Sequence, residues 1–185
     1  LAEKGFKEVV LSGVNVGDYG KKIDTGLLSL LRSLVKVDGI ERIRVSSIEP
    51  NLLTEPLIDY MLGDEKICNH FHIPLQSGSN KILRLMSRRY STENYRQLIE
   101  YIRLKDSSAG IGADVIVGFP GETEVEFDET YAFLVDLPVS YLHVFTYSER
   151  PLTPAAKSSG RVEPALRHER NERLRMLDQK KNQWY

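Results

Sequence analysis

The chain has 185 residues, 25 of them basic and 26 acidic, for a formal net charge of −1, and 41% are apolar. That is enough for one domain with a real core, and the even balance excludes a nucleic-acid or membrane partner held by overall charge, leaving any such partner to local patches. A single cysteine, Cys68, excludes an internal disulfide framework and any multi-cysteine metal site within these residues, and makes a reducing, cytoplasmic setting the expectation.

The opening LAEKGFKEVV has no start methionine and reads as a helix tail, a glycine break and a strand over 8–11. The last helical stretch, over 165–185, runs into Trp184 and Tyr185 without a closing turn. Both ends are therefore expected to continue in a longer protein. No apolar run reaches the length of a membrane span, and no secretory signal is visible.

The first strand empties into SGVNVGDYG, where Ser12, Gly13, Asn15, Gly17, Asp18 and Gly20 make a poor strand and a good ligand-contact loop. A glycine-rich turn in which Asn15 and Asp18 bond to their own backbone is the plainer alternative. A helix is predicted over 25–37 from the spacing of Leu27, Leu30, Leu31, Leu34 and Val35, and a strand over 42–46 follows. Ser47 and Glu49 then stand at that strand's carboxyl end. A carboxylate there can accept two hydroxyl hydrogen bonds from a ribose, although a solvated turn residue looks the same in sequence. Thr54 reads as the cap of a helix over 55–61.

The next strand, over 71–74, is followed by LQSGSNKILRLM, with Gln76, Ser77, Ser79 and Asn80 crowding the strand end. Lys81, Arg84, Arg88 and Arg89 form a basic patch that could place phosphates or simply face solvent. An amphipathic helix over 92–104 turns Tyr95, Leu98, Ile99 and Ile102 inward. The most informative stretch is ADVIVGFPGETEVE at 113–126. A strand over 113–117 ends in a Gly-Phe-Pro-Gly turn, and Thr123 with Glu126 has capping-box spacing for a helix over 124–135. A strand over 141–145, the loop TYSERPLTPAAKSSG and the last helix, with Leu166, Arg170, Leu174 and Leu177 in one stripe, complete the chain.

Five strands alternating with helices predict an α/β fold with a parallel sheet, either open and doubly wound or a curved piece of a β/α barrel. In both cases the polar loops place the site at the strands' carboxyl ends. His70 and His72, two apart on a strand, share a face as core or hydrogen-bonded histidines, so no metal site is assigned. No phosphate-binding G-x-x-x-x-G-K-[ST] loop is present.

Five segments, LSGVNVGDYG at 11–20, RIRVSSIEP at 42–50, HIPLQSGSNKILRLMSRRY at 72–90, DVIVGFPGETEVEF at 114–127 and HVFTYSERPLTPAA at 143–156, resemble in order the radical S-adenosylmethionine methylthiotransferases, in their tRNA-modifying branch. The resemblance implies a partial β/α barrel whose first strand and cluster loop are missing here, with residues 1–185 as the carboxyl-terminal major part of the radical SAM domain. It implies S-adenosylmethionine and [4Fe-4S] clusters as cofactors. Gly13 and Asn15 would lie near the cofactor's methionine end, Ser47 and Glu49 by its sugar or carboxylate, and Gly118, Pro120 and Gly121 would support the adenine through backbone groups. Gln76 and Ser77 would lie deeper in the pocket, and no catalytic residue is assigned.

The resemblance further implies addition of a methylthio group to C2 of N6-threonylcarbamoyladenosine at tRNA position 37. The partners would be the tRNA anticodon loop, with Arg84, Arg88 and Arg89 on its phosphates, together with an electron donor and a sulfur source. Alternatives are the isopentenyl-adenosine branch, the branch acting on a ribosomal protein, and a non-catalytic RNA-binding scaffold. The family's C-x-x-x-C-x-x-C loop does not occur in this stretch, nor do its amino-terminal cluster domain and carboxyl-terminal RNA-binding domain, so the stretch alone is expected to be inactive. Leu152 stands where the family often has glycine, which argues against a positive φ there.

Overall fold

The structure, a computed structural model, describes residues 1–184, the side chains of Lys157 and Trp184 excepted. The expectation for the helix end at Tyr185 lies outside the described residues. Two compact units emerge, one of Leu1–Ile73 with Tyr101–Ile111 and one of Pro74–Glu100 with Gly112–Tyr185.

In the first unit, β1 (Glu8–Leu11) pairs in parallel with β2 (Arg42–Val45), Glu8 opposite Arg42 and Leu11 opposite Val45. Between them runs α1 (Leu27–Leu34), which buries Leu27 and Leu31. A 3-10 turn at Pro50–Leu52 leads to α2 (Glu55–Gly63), where a proline in the first turn costs no hydrogen bond and Leu57, Ile58 and Met61 are buried. Thr54 is the N-cap residue, as its sequence suggests, but its side chain makes no capping bond. Ile67 bridges to Ile43 in parallel ahead of β3 (His70–His72), and the Ile48 N–H donates to the His72 carbonyl at 3.1 Å. His70 and His72 are half-buried on one face with Phe71 buried on the other, as the alternation requires.

The second unit holds α3 (Asn80–Leu85) and most of α4 (Thr92–Lys105), whose Tyr95, Ile99 and Ile102 are buried. β4 (Gly110–Val117) pairs in parallel with β5 (Tyr141–Thr146), from Gly112 opposite Tyr141 to Val117 opposite Thr146. On β4's other side Gln76 forms a parallel bridge with Val115. β4 starts three residues ahead of the predicted strand, and Gly112 shows why. A Cβ there would stand 2.1 Å from Tyr141 Cζ, so the glycine makes room for a ring on the neighbouring strand.

α5 (Glu124–Asp136) and α6 (Pro164–Trp184) complete the unit. α6 lies along β5 and supplies partners for its backbone. Asp178 accepts the Leu142 N–H at 2.7 Å, and Asn171 donates to the Val144 carbonyl at 3.3 Å. A strand edge that would otherwise invite another strand is thereby covered by side chains.

The capping box of α5 forms as predicted, and Lys81 Nζ adds an ion pair to Glu126 at 2.7 Å. Lys81 first, then Thr123, hold the Glu126 carboxyl down to about 2. A depressed carboxylate stabilises the folded chain above its ordinary value of 4.5 and loses that contribution as pH falls toward about 2. Carboxyl-carbon NMR should therefore give Glu126 a midpoint near about 2, and a midpoint at the ordinary value would contradict the cap.

Candidate functional site

In the first unit the predicted residues leave one edge. The Ser46 N–H donates to the Leu11 carbonyl at 2.9 Å, so β1 and β2 end side by side, and the loops with Gly13, Asn15, Ser47 and Glu49 begin there. A Cβ at Gly17 would meet Leu52 Cβ at 2.8 Å, so the first loop packs on the second. Asn15 donates to Asp18 Oδ2 at 2.8 Å, a side-chain pair rather than the self-backbone turn, and its own Oδ1 is buried without a partner. Gly13 is exposed, and a Cβ there would meet only Val16 Cγ2 at 3.8 Å, so packing does not demand a glycine. Ser47 and Glu49 are half-buried.

In the second unit, Gln76 and the turn after β4 also leave one edge. Gln76 is 9% exposed with φ 70°, donates its N–H to the Asp114 carbonyl at 2.8 Å and accepts the Ile116 N–H at 2.9 Å. Its side-chain amide makes no hydrogen bond among the described residues. Ser77 is fully buried, its hydroxyl 3.1 Å from Thr130 Oγ1 and accepting the Ser79 N–H. Gly118 and Gly121 have φ 77° and 91°, conformations open to glycine, and Pro120 is buried between them. Both glycine amides bond within the protein, Gly118 to Glu122 Oε1 at 2.8 Å and Gly121 to the Gly160 carbonyl at 2.8 Å. Burial pushes the Glu122 carboxyl up, against the opposing pull of the Gly118 N–H and Arg170.

Beside this turn lies a cavity of about 550 Å³. It is lined by Ile116, Phe119, Phe145 and Tyr147, by Met86 to Arg88 and by Thr153 to Ala155. Phe119 and Tyr147 pack edge to face at 5.2 Å, and the Tyr147 hydroxyl is buried without a partner. Beside the cavity on the same strand face, His143 Nδ1 lies 3.2 Å from Asp114 Oδ1.

Three residues other than glycine take positive φ in this unit, Gln76, Ser87 at 56° and Leu152 at 71°. Ser87 lines the cavity, and Leu152 lies between the lining residues Arg150 and Thr153. Such strained positions collect at functional sites. Leu152 corrects the expectation that leucine keeps this loop out of the left-handed region. It is 96% exposed, so no packing opposes the conformation, and the backbone turns there as a glycine would. Relief of roughly 1–2 kcal/mol of strain against about 0.4–1 kcal/mol of added unfolded-chain entropy predicts that Leu152→Gly is stabilised by about 0.5 kcal/mol. A lowered thermal midpoint would contradict that geometry.

Of the four cations in the predicted basic patch, Lys81 is paired with Glu126, Arg84 and Arg89 are exposed, and Arg88 lines the cavity. Cys68 is half-exposed in the first unit, ahead of β3. Sequence reasoning missed Phe119, Tyr147 and Ser87 as site walls, and it missed the role of Arg170. The available signal was an arginine on the apolar stripe of α6.

The family model described as the Radical SAM superfamily matches residues 1–134. The chain belongs to that superfamily. It is 46% identical over 183 residues to the threonylcarbamoyladenosine tRNA methylthiotransferase MtaB of Aquifex aeolicus, covering 99% of this chain and 45% of that one. To the tRNA-2-methylthio-N(6)-dimethylallyladenosine synthase of Alkaliphilus oremlandii it is 43% identical over 176 residues, 94% of this chain and 37% of the relative. The chain thus spans less than half the length of these curated relatives.

Among solved structures, the coproporphyrinogen III oxidase HemN of Escherichia coli, a radical SAM enzyme, superposes with TM-score 0.69 at 19% identity, over 95% of this chain and 40% of its own. The radical S-adenosylmethionine methyltransferase TsrM of Kitasatospora setae gives 0.66 at 15% identity, over 84% and 30%. At such identities the likeness is one of fold. The α/β fold is of the radical SAM type, as the partial-barrel expectation had it.

The residues present fit one part of the superfamily's cofactor set. A cavity at strand ends lined by Ile116, Phe119 and Phe145 suits the flat apolar face of a nucleoside. An iron–sulfur cluster needs several thiolates, and these 185 residues contain one cysteine, so the cluster does not fit the side chains of this stretch.

Proposed function

We propose that this chain is the greater part of the radical SAM domain of a tRNA methylthiotransferase, one that places a methylthio group on C2 of N6-threonylcarbamoyladenosine at position 37. The observation that carries the reading is the 46% identity to a threonylcarbamoyladenosine tRNA methylthiotransferase across nearly the whole chain. The dimethylallyladenosine branch is the second reading, supported by 43% identity to its synthase. Cluster domains and an RNA-binding domain would lie outside this stretch, and such a protein would work in the cytoplasm. Among the described residues no helix is long and apolar enough to cross a membrane.

S-adenosylmethionine would supply a hydrogen-abstracting radical and a methyl group when bound, with any cluster held by residues outside this stretch. The residues of this chain orient and shield. Phe119 and Phe145 offer apolar walls to an adenine, and Tyr147 packs edge to face on Phe119 beside them. Gln76 holds its amide in a strained, buried position at the same strand edge, while Glu122 keeps the turn in place. Within the first unit, Gly13, Asn15, Ser47 and Glu49 follow the ends of β1 and β2 and are that unit's own candidates for a polar ligand. Arg84, Arg88 and Arg89 would position anticodon-loop phosphates.

The test is nucleoside mass spectrometry of tRNA incubated with the full-length protein, reconstituted anaerobically, and S-adenosylmethionine. The threonylcarbamoyl nucleoside should gain one methylthio group. Gain on the dimethylallyl nucleoside alone would move the protein to the second branch, and no gain on either would overturn the reading.

A further inference from the structure

The loops that wall the cavity are held from outside it, by two arginines one helical turn apart on α6. Arg170 is 1% exposed and donates from Nη1 both to the Glu122 carbonyl at 3.1 Å and to Glu122 Oε1 at 2.8 Å. The same carboxylate oxygen accepts the Gly118 N–H, so guanidinium, carboxylate and turn form one chain of bonds. Arg167 donates from Nε to the Val162 carbonyl at 2.7 Å, from Nη1 to the Tyr147 carbonyl at 3.0 Å and from Nη2 to Glu149 Oε1 at 2.9 Å. Its side chain also crosses Gly118 so closely that a Cβ there would stand 2.4 Å from Arg167 Cγ. Neither arginine lines the cavity.

We propose that Arg167 and Arg170 are positioning residues that set the width of the cavity, Arg170 by fixing the turn that carries Phe119 and Arg167 by fixing Tyr147. A buried ion pair adds little net stability over an apolar pair of the same shape. What it supplies is direction, because a planar guanidinium can hold a carbonyl and a carboxylate in one fixed geometry. The edge-to-face contact of Phe119 and Tyr147 is where the two clamps meet.

The test uses Arg167→Met and the double variant Arg170→Met/Glu122→Gln, which removes both buried charges and so stays folded where Arg170→Met alone could fail. Amide exchange should quicken about tenfold or more at Phe119, Gly121 and position 122 in the double variant and at 147–149 in Arg167→Met, with Leu142 and Leu174 unchanged. Unchanged exchange in those loops would overturn the proposal. The second arm rests on the nucleoside reading of the cavity and measures affinity for S-adenosylhomocysteine. Affinity should fall about tenfold in both variants, and Arg170→Lys, which keeps the charge without the fork, should recover only part of it. Affinity that recovers in step with overall stability would make the role merely structural. A wild-type chain that does not bind this probe would overturn the nucleoside reading, while the exchange arm alone would still decide the clamp.

Discussion

Replacing Arg170 by methionine is expected to lower the unfolding free energy by about 3–5 kcal/mol, the usual cost of leaving a buried charge without its partner. Arg170 and Glu122 have side chains only 2% and 1% exposed, so water cannot replace either partner. Glu122 would keep the Gly118 N–H but lose its only cation among the described residues. Arg170 also holds Glu124 at 3.1 Å and stands 5.2 Å over the Phe127 ring, contacts that methionine replaces only in volume. Adding Glu122→Gln should return most of the loss, because the remaining carboxamide can accept the Gly118 N–H without a charge. Urea denaturation of the two variants decides the matter. A single variant within about 1 kcal/mol of wild type would show that the pair is not buried as described.

The second large effect concerns a motif glycine. Gly78→Ala should cost about 1–3 kcal/mol, the range for forcing extra atoms into a packed site. A Cβ there would stand 2.7 Å from Thr130 Cα and 3.0 Å from Phe133 Cβ, atoms fixed to α5 that cannot swing aside. The Gly78 N–H also donates to Thr130 Oγ1 at 3.1 Å, so the segment cannot retreat without losing that bond. Gly13→Ala is the matched control, its Cβ meeting only Val16 Cγ2 at an ordinary contact distance of 3.8 Å, with an expected change within about 0.5 kcal/mol. The pair separates glycines required for packing from those available to a ligand. Equal stability changes in the two variants would contradict that separation.

Periodicity and turn chemistry made most elements legible. The apolar spacing of α1 and α4 and the capping box of α5 read directly, because each is a local pattern. The sequence signal for β4 begins three residues late because Gly110 and Gly112 weaken it, and the reason for Gly112, the Tyr141 ring, lies 29 residues further on. Leu152 misled for a related reason. Propensity disfavours leucine at positive φ, but nothing in composition tells how the flanking 150–155 loop must turn. The cavity was out of reach because its walls come from segments far apart in the chain, brought together by parallel pairing of β4 and β5. The residues named from the family resemblance do stand at strand ends, within each unit. Gln76, Ser77, Gly118, Pro120 and Gly121 are nonetheless not among the residues that line the cavity.

The central claim is that the cavity at the ends of β4 and β5 receives the nucleoside of an S-adenosyl cofactor. The most direct measurement is an amide NMR titration of the chain with S-adenosylhomocysteine. Saturable shifts should concentrate at Phe119, Tyr147 and Ala155, with 5′-deoxyadenosine producing the same pattern. Saturable shifts confined to other residues, or none in these three, would contradict the account.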